Sequence, residues 1–115
     1  MNVNIALKKA LDPLLPGRTA PIKYTGKSTE YIVWNSSMIP ELFAESISQA
    51  ARYLVQVHYY LPNGMNPDPM KVKICKALMA ADFTSPSVTD ANEAAGQHYV
   101  FECEYCNAGP AYGET

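Results

Sequence analysis

Arg52-Tyr53-Leu54-Val55-Gln56-Val57-His58-Tyr59-Tyr60, closed by Leu61-Pro62-Asn63-Gly64, is the stretch from which the fold of this chain is read. Aromatic and β-branched residues dominate it, as suits a pleated, half-buried strand. Side chains alternate across a strand, so Tyr53, Val55, Val57 and Tyr59 share one face and Leu54, Gln56, His58 and Tyr60 the other. This is the expected central strand. Gln97 to Cys106 has the same parity, with Tyr99, Phe101, Cys103 and Tyr105 on an apolar face and His98, Val100, Glu102, Glu104 and Cys106 opposite.

Between these strands, Pro67 to Asp82 carries the signals of a helix. Asn66 can cap it, Pro67 suits the first helical position, and Asp68 lies near the positive end of the helix dipole. On a helical wheel Met70, Ile74, Ala77, Leu78 and Ala81 cluster on one side, Val72, Cys75 and Met79 widen that side, and Lys73 and Lys76 face away. Lys71 falls inside the apolar arc, in the first turn, where its stem reaches water. The back half thus reads strand, helix, strand, with the helix roofing the apolar face of both strands.

In the front half, Val3, Leu7, Ala10, Leu11 and Leu14 line one face of an N-terminal helix, with Lys8 and Lys9 turned away. Asn2 or Asn4 can cap its start, and Pro13 and Pro16-Gly17 end it. Thr19 to Tyr24, the turn Thr25-Gly26-Lys27-Ser28 and Glu30 to Asn35 are expected to form a hairpin. Residues 36–51 read as a long connection, interrupted by Ser36-Ser37 and Pro40. Its apolar Met38, Ile39, Leu42, Phe43 and Ile47 either tuck into the core or meet a partner. Phe83 to Val88 is expected as a short edge strand, where Pro86 is tolerated; residues 89–96 read as a loop and 107–115 as a flexible tail. The fold class expected is α+β: an antiparallel or mixed sheet of about four to five strands covered by the N-terminal helix and the helix at about 67–82.

The 115 residues fit one domain, 48% hydrophobic and 17% charged. No apolar run approaches the ~20 residues needed to cross a bilayer, so no membrane partner is expected. The first residues lack a basic segment followed by an apolar one, so no secretory leader is expected either. Three cysteines, an odd number, suit a reducing compartment. A net charge of −2 without a basic run argues against sequence-specific nucleic-acid binding.

The chemical motifs each have a plain structural alternative. Cys103-Glu104-Tyr105-Cys106 matches C-x-x-C, yet an offset of three along a strand sends the two thiols to opposite faces, which suits neither a disulfide nor a shared metal. Cys75 falls on the apolar arc of its helix. His58 and His98 become neighbours if their strands pair; with Glu102 or Glu104 they would form a metal or acid–base site, or simply a polar strand face. No serine sits in a nucleophile elbow and no glycine-rich loop resembles a phosphate cradle. No catalytic, cofactor-binding or metal residue is assigned, and no enzyme is expected. The eight tyrosines suit cross-strand packing and also an assembly surface.

The order helix, two strands, long connection, long strand, helix, final strand resembles the small tail terminator (tail completion) proteins of long-tailed bacteriophages. The likeness is carried by Tyr31-Ile32-Val33-Trp34, by Arg52 to Tyr60, by Met70 to Met79 followed by Phe83, and by His98 to Tyr105. It spans nearly the whole chain as a pattern of elements, and departs from the family in the proline-rich connection Met65 to Pro69. The resemblance implies an α+β fold and a homo-oligomeric ring, usually of six copies. Such a ring caps the tail tube at the head-proximal end of the virion, after assembly in the host cytoplasm, and offers its other side to the head connector or neck proteins. It implies no cofactor. The residues expected to meet a neighbouring subunit are Met38, Ile39, Leu42, Phe43 and Ile47. Rival readings are another virion neck protein, for head completion or head–tail joining, and a small metal or thiol enzyme using His58, His98 and the cysteines.

Overall fold

In the computed structural model, which describes residues 2–40 and 50–108, helix α1 (Val3–Leu11) opens where Asn2 Oδ1 accepts the backbone N–H of Asn4 at 2.8 Å. Lys8 and Lys9 occupy its last turn, where cations complement the dipole. Pro13 then fits a single 3-10 turn (Asp12–Leu14), and Gly17 takes up the positive φ of 76° that follows. Val3, Ala6, Leu7 and Leu11 are buried, as the spacing predicts.

Five strands form one mixed sheet in the order β1-β2-β3-β5-β4: β1 (Thr19–Pro21), β2 (Tyr31–Pro40), β3 (Ala50–Leu61), β4 (Ser87–Asp90) and β5 (Gln97–Ala108). β3 is central, with β2 and β5 antiparallel on its two sides. Helix α2 (Asp68–Ala80) lies beside α1 on one face of the sheet; Pro67, expected as the first helical residue, is instead the N-cap, Pro69 takes a first-turn position, and Asn66, one residue outside the helix, accepts the N–H of Asp68 on Oδ1 at 3.1 Å. The α+β class read from the sequence is therefore what the chain adopts.

Four expectations are corrected. β1 and β2 do not form a hairpin: they run parallel, Thr19 opposite Ile32 and Pro21 opposite Trp34. The intervening loop turns back at Ile22, whose φ is 67°, and folds over Gly26, where the Tyr24 hydroxyl accepts the N–H of Ser28. Residues 36–40 and 50–51 are strand, because the β2–β3 ladder continues through Ser36–Val55 and Met38–Tyr53 to Pro40–Ala51; the connection shrinks to residues 41–49, outside the described residues. Thr84 to Pro86 lead into β4, which starts only at Ser87. Asn107 and Ala108, expected in the tail, extend β5, and residues 109–115 lie outside the described residues.

The core lies between the helices and the inner sheet face. Leu7, Leu11, Ile74 and Leu78 pack on Ile32, Trp34, Val55, Val57, Tyr59 and Phe101, all at most 1% exposed. Trp34 Nε1 donates to Asn4 Oδ1 at 3.1 Å and thereby ties α1 to β2. Tyr59 donates its hydroxyl to Glu30 Oε2 at 2.7 Å; burial, and then the Glu30 carboxylate, push its phenol well above the ordinary value. Lys71 does lie over the core edge, its ammonium 4.0 Å from the centre of the Tyr99 ring. Val72 and Met79 do not widen the buried arc: each is half exposed.

Candidate assembly interface

A 12-residue strand such as β3 runs about 40 Å, whereas the 13 residues of α2 reach about 20 Å and the 9 of α1 about 14 Å. The helices therefore roof about half of the sheet, and a three-stranded ribbon of β2, β3 and β5 continues past them. The molecule measures 52 × 24 × 22 Å, with a radius of gyration of 15.1 Å against about 13 Å for a compact chain of this length. Among the described residues, no named strand pairs with the outer edges of 35–40 and 103–108, since β1 pairs only with residues 32–34 and β4 only with 99–102; at Glu104 the edge is held instead by Thr84, which donates its N–H to the Glu104 carbonyl and accepts the Glu104 N–H on its hydroxyl, both at 2.9 Å.

Of the residues expected at an interface, Met38 and Ile39 lie in this ribbon on opposite faces of β2. Met38 is 48% exposed and Ile39 is half-buried. Leu42, Phe43 and Ile47 lie outside the described residues. Tyr53 and Tyr105, on the inner face, sit with ring centres 6.4 Å apart where the roof ends, and Phe83 closes on Tyr105 at 4.6 Å.

Among the described residues, no helix lies on the second sheet face. Tyr31, Val33, Asn35 and Ser37 of β2, Arg52, Leu54, Gln56, His58 and Tyr60 of β3, and His98, Val100, Glu102 and Glu104 of β5 all point to it by parity. The sequence pairs the histidines only conditionally; the register places them diagonally across β3 and β5. At the β1 side, Tyr24, Tyr31, Tyr60 and His98 form a stacked row with successive ring centres 4.6, 4.8 and 4.1 Å apart. The parity of β3 and β5 alone could not show that row, because Tyr24 joins it from a loop.

The two imidazoles hydrogen-bond directly, His58 Nδ1 to His98 Nε2 at 2.8 Å. With the Asn35 amide donating to His58 Nε2 at 3.3 Å, His58 carries its proton on Nδ1 and donates it to His98 Nε2. Both rings are then neutral, and a second proton has no place in the chain of bonds. Burial, and for His58 next the neighbouring His98, hold both pKa values below the ordinary imidazole value, against the opposing carboxylates of Glu102 and Glu93. A cleft of about 600 Å³ opens beside them, lined by Ser28, Tyr31, Tyr60, Glu93, Gln97 and His98. Burial, then Tyr31 and Glu93, raise the Tyr60 phenol above its usual value.

Glu102 and Glu104 are held separately, Gln56 Nε2 donating to Glu102 at 3.0 Å and Arg52 pairing with Glu104 at 3.6 Å. No cluster of three or more metal-ligating side chains occurs among the described residues. Cys103 points into the core near Cys75, and burial pushes its thiol up to about 12, a value at which no useful thiolate exists at neutral pH. Position 106 follows three residues later on the same unbroken strand, in register with Arg52. The arrangement offers a flat, polar and aromatic surface.

No family model matches the chain, and no curated protein matches it significantly. Solved structures do: one, whose name carries no functional description, superposes with a TM-score of 0.61 over 92% of both chains at 13% identity. At that identity the likeness concerns the fold alone.

Proposed function

We propose that this chain is a virion structural subunit that assembles into a ring and ends polymerisation of a phage tail tube, as the tail terminator proteins it resembles do. The observation that carries the reading is the sheet that outruns its helical roof. A three-stranded ribbon that continues past the helices and leaves Met38 48% exposed offers apolar surface for another subunit to cover. Burying its apolar side chains at ~25 cal/mol per Å² offsets the cost of ordering the contact.

The mechanism is geometric. A tube of identical rings grows without limit because each ring offers its successor the surface it used itself. A terminating ring binds the last tube ring on one side and presents a different surface on the other, where the head connector or neck proteins join. Leu42, Phe43 and Ile47 fall within residues 41–49, outside the described residues, and the reading assigns them, with Met38 and Ile39, the contact with a neighbour. The partners are further copies of the chain, the tail-tube protein and the connector, and the reading assigns no catalytic role.

Electron microscopy of particles produced without this protein tests it. Overlong tails of variable length are expected. Tails of normal length left unjoined to heads would move the assignment to a head-completion role.

A further inference from the structure

The two outer surfaces of the molecule carry opposite charge. α1 and α2 together contain Lys8, Lys9, Lys71, Lys73 and Lys76 and one acid, Asp68. Lys9, Lys73 and Lys76 point away from the sheet, interspersed with Ile5, Val72 and Met79, each about half exposed. On the helix-free sheet face, Arg52 is the one Lys or Arg among the described side chains of β2 to β5, and it is matched by Glu104; Glu102 stands beside them and Glu93 at the end of the face. Leu54, 41% exposed, lies between Arg52 and Gln56 on that face. Lys23 and Lys27 lie in the loop next to β1, at the far edge.

We propose that the outward surface of α1 and α2 of one copy docks on the helix-free sheet face of the next, a head-to-tail contact repeated around the ring; this rests on the ring reading above. Charge decides the pairing. Sheet against sheet would bring Glu102 toward its own counterpart, and helices against helices would oppose lysines, whereas helix on sheet sets Lys73 and Lys76 against Glu102 and Glu104. Val72 and Met79 then cover Leu54 and Val100. The helices, about 20 Å and about 14 Å long and each about 10 Å across, fit within the sheet face of about 40 Å by about 20 Å and cover rather less than half of it. Strand pairing along β1 or β4 is a poor alternative, because these are only three and four residues long. A contact between unlike surfaces is also the kind that closes into a ring.

Charge reversal in pairs tests the contact by light scattering of purified protein. The variants are Lys73→Glu with Lys76→Glu, and Glu102→Lys with Glu104→Lys, with Glu102→Lys alone as a milder form should the second pair disturb Arg52. Circular dichroism establishes that each is folded. Each variant alone is expected to run at the single-chain mass of 12.7 kDa, and an equimolar mixture to recover the wild-type assembly, because the reversed helices of one then meet the reversed sheet of the other. Variants that assemble like wild type would overturn the contact and leave the ring intact. Folded variants whose mixture stays monomeric would overturn the pairing of these two faces. A wild-type chain that is itself monomeric throughout would overturn the ring reading and this contact with it.

Discussion

His58 and His98 illustrate how two ordinary strand residues become a linked unit. Their 2.8 Å hydrogen bond admits one proton between the facing nitrogens, and their surroundings favour the neutral rings. Tyr60 and Tyr31 stack alongside, Asn35 and Gln56 are neutral, and the charged groups nearest are Glu102 and Glu93. Both folded pKa values lie below the unfolded value of about 6.5, so below that pH the unfolded chain binds more protons than the native one. The pair therefore leaves stability untouched above about 6.5 and lowers it as pH falls from there toward the folded values. Urea denaturation across that range should show the wild type losing more stability toward acid than a His58→Gln/His98→Gln variant, by a small margin because solvent reaches both partly exposed rings. An acid loss as large in the variant as in the wild type would remove the pair from the account.

The elements follow from periodicity, and so do their weakest points. Phe101 and Leu78 belong to the same core cluster, each fully buried. Phe101→Ala is expected to cost about 3–5 kcal/mol and Leu78→Ala about 2–5 kcal/mol, whereas Met79→Ala, on the exposed side of α2, should cost well under 1 kcal/mol. Thermal denaturation of the three variants measures the order, and an equal loss for Met79→Ala would mean that α2 is rotated from the orientation described. The two long strands, both helices and the inner face were legible because alternation and helical spacing are local signals. β1 was legible as an extended segment but its pairing was not, since the parallel arrangement depends on a loop that reverses at Ile22, a residue with no turn signature. The continuation of β2 through Ser36 to Pro40 was missed for a different reason: the serines and proline read as a break, yet the partner strand supplies the ladder that overrides them. Of the residues expected at an interface, Met38 and Ile39 could be placed on the ribbon, and the histidine pair was visible as a parity coincidence that only the register makes real.

Taken whole, the molecule is a half-roofed sheet with one surface of lysines and one of glutamates. Helices short relative to the strands and, among the described residues, a second sheet face without a helix are features that make sense together if further copies of the chain complete the packing. Sedimentation equilibrium of the purified chain over a concentration series tests that claim most directly. The account predicts a discrete assembly of about six times the 12.7 kDa chain mass, and a single 12.7 kDa species at every concentration would contradict it.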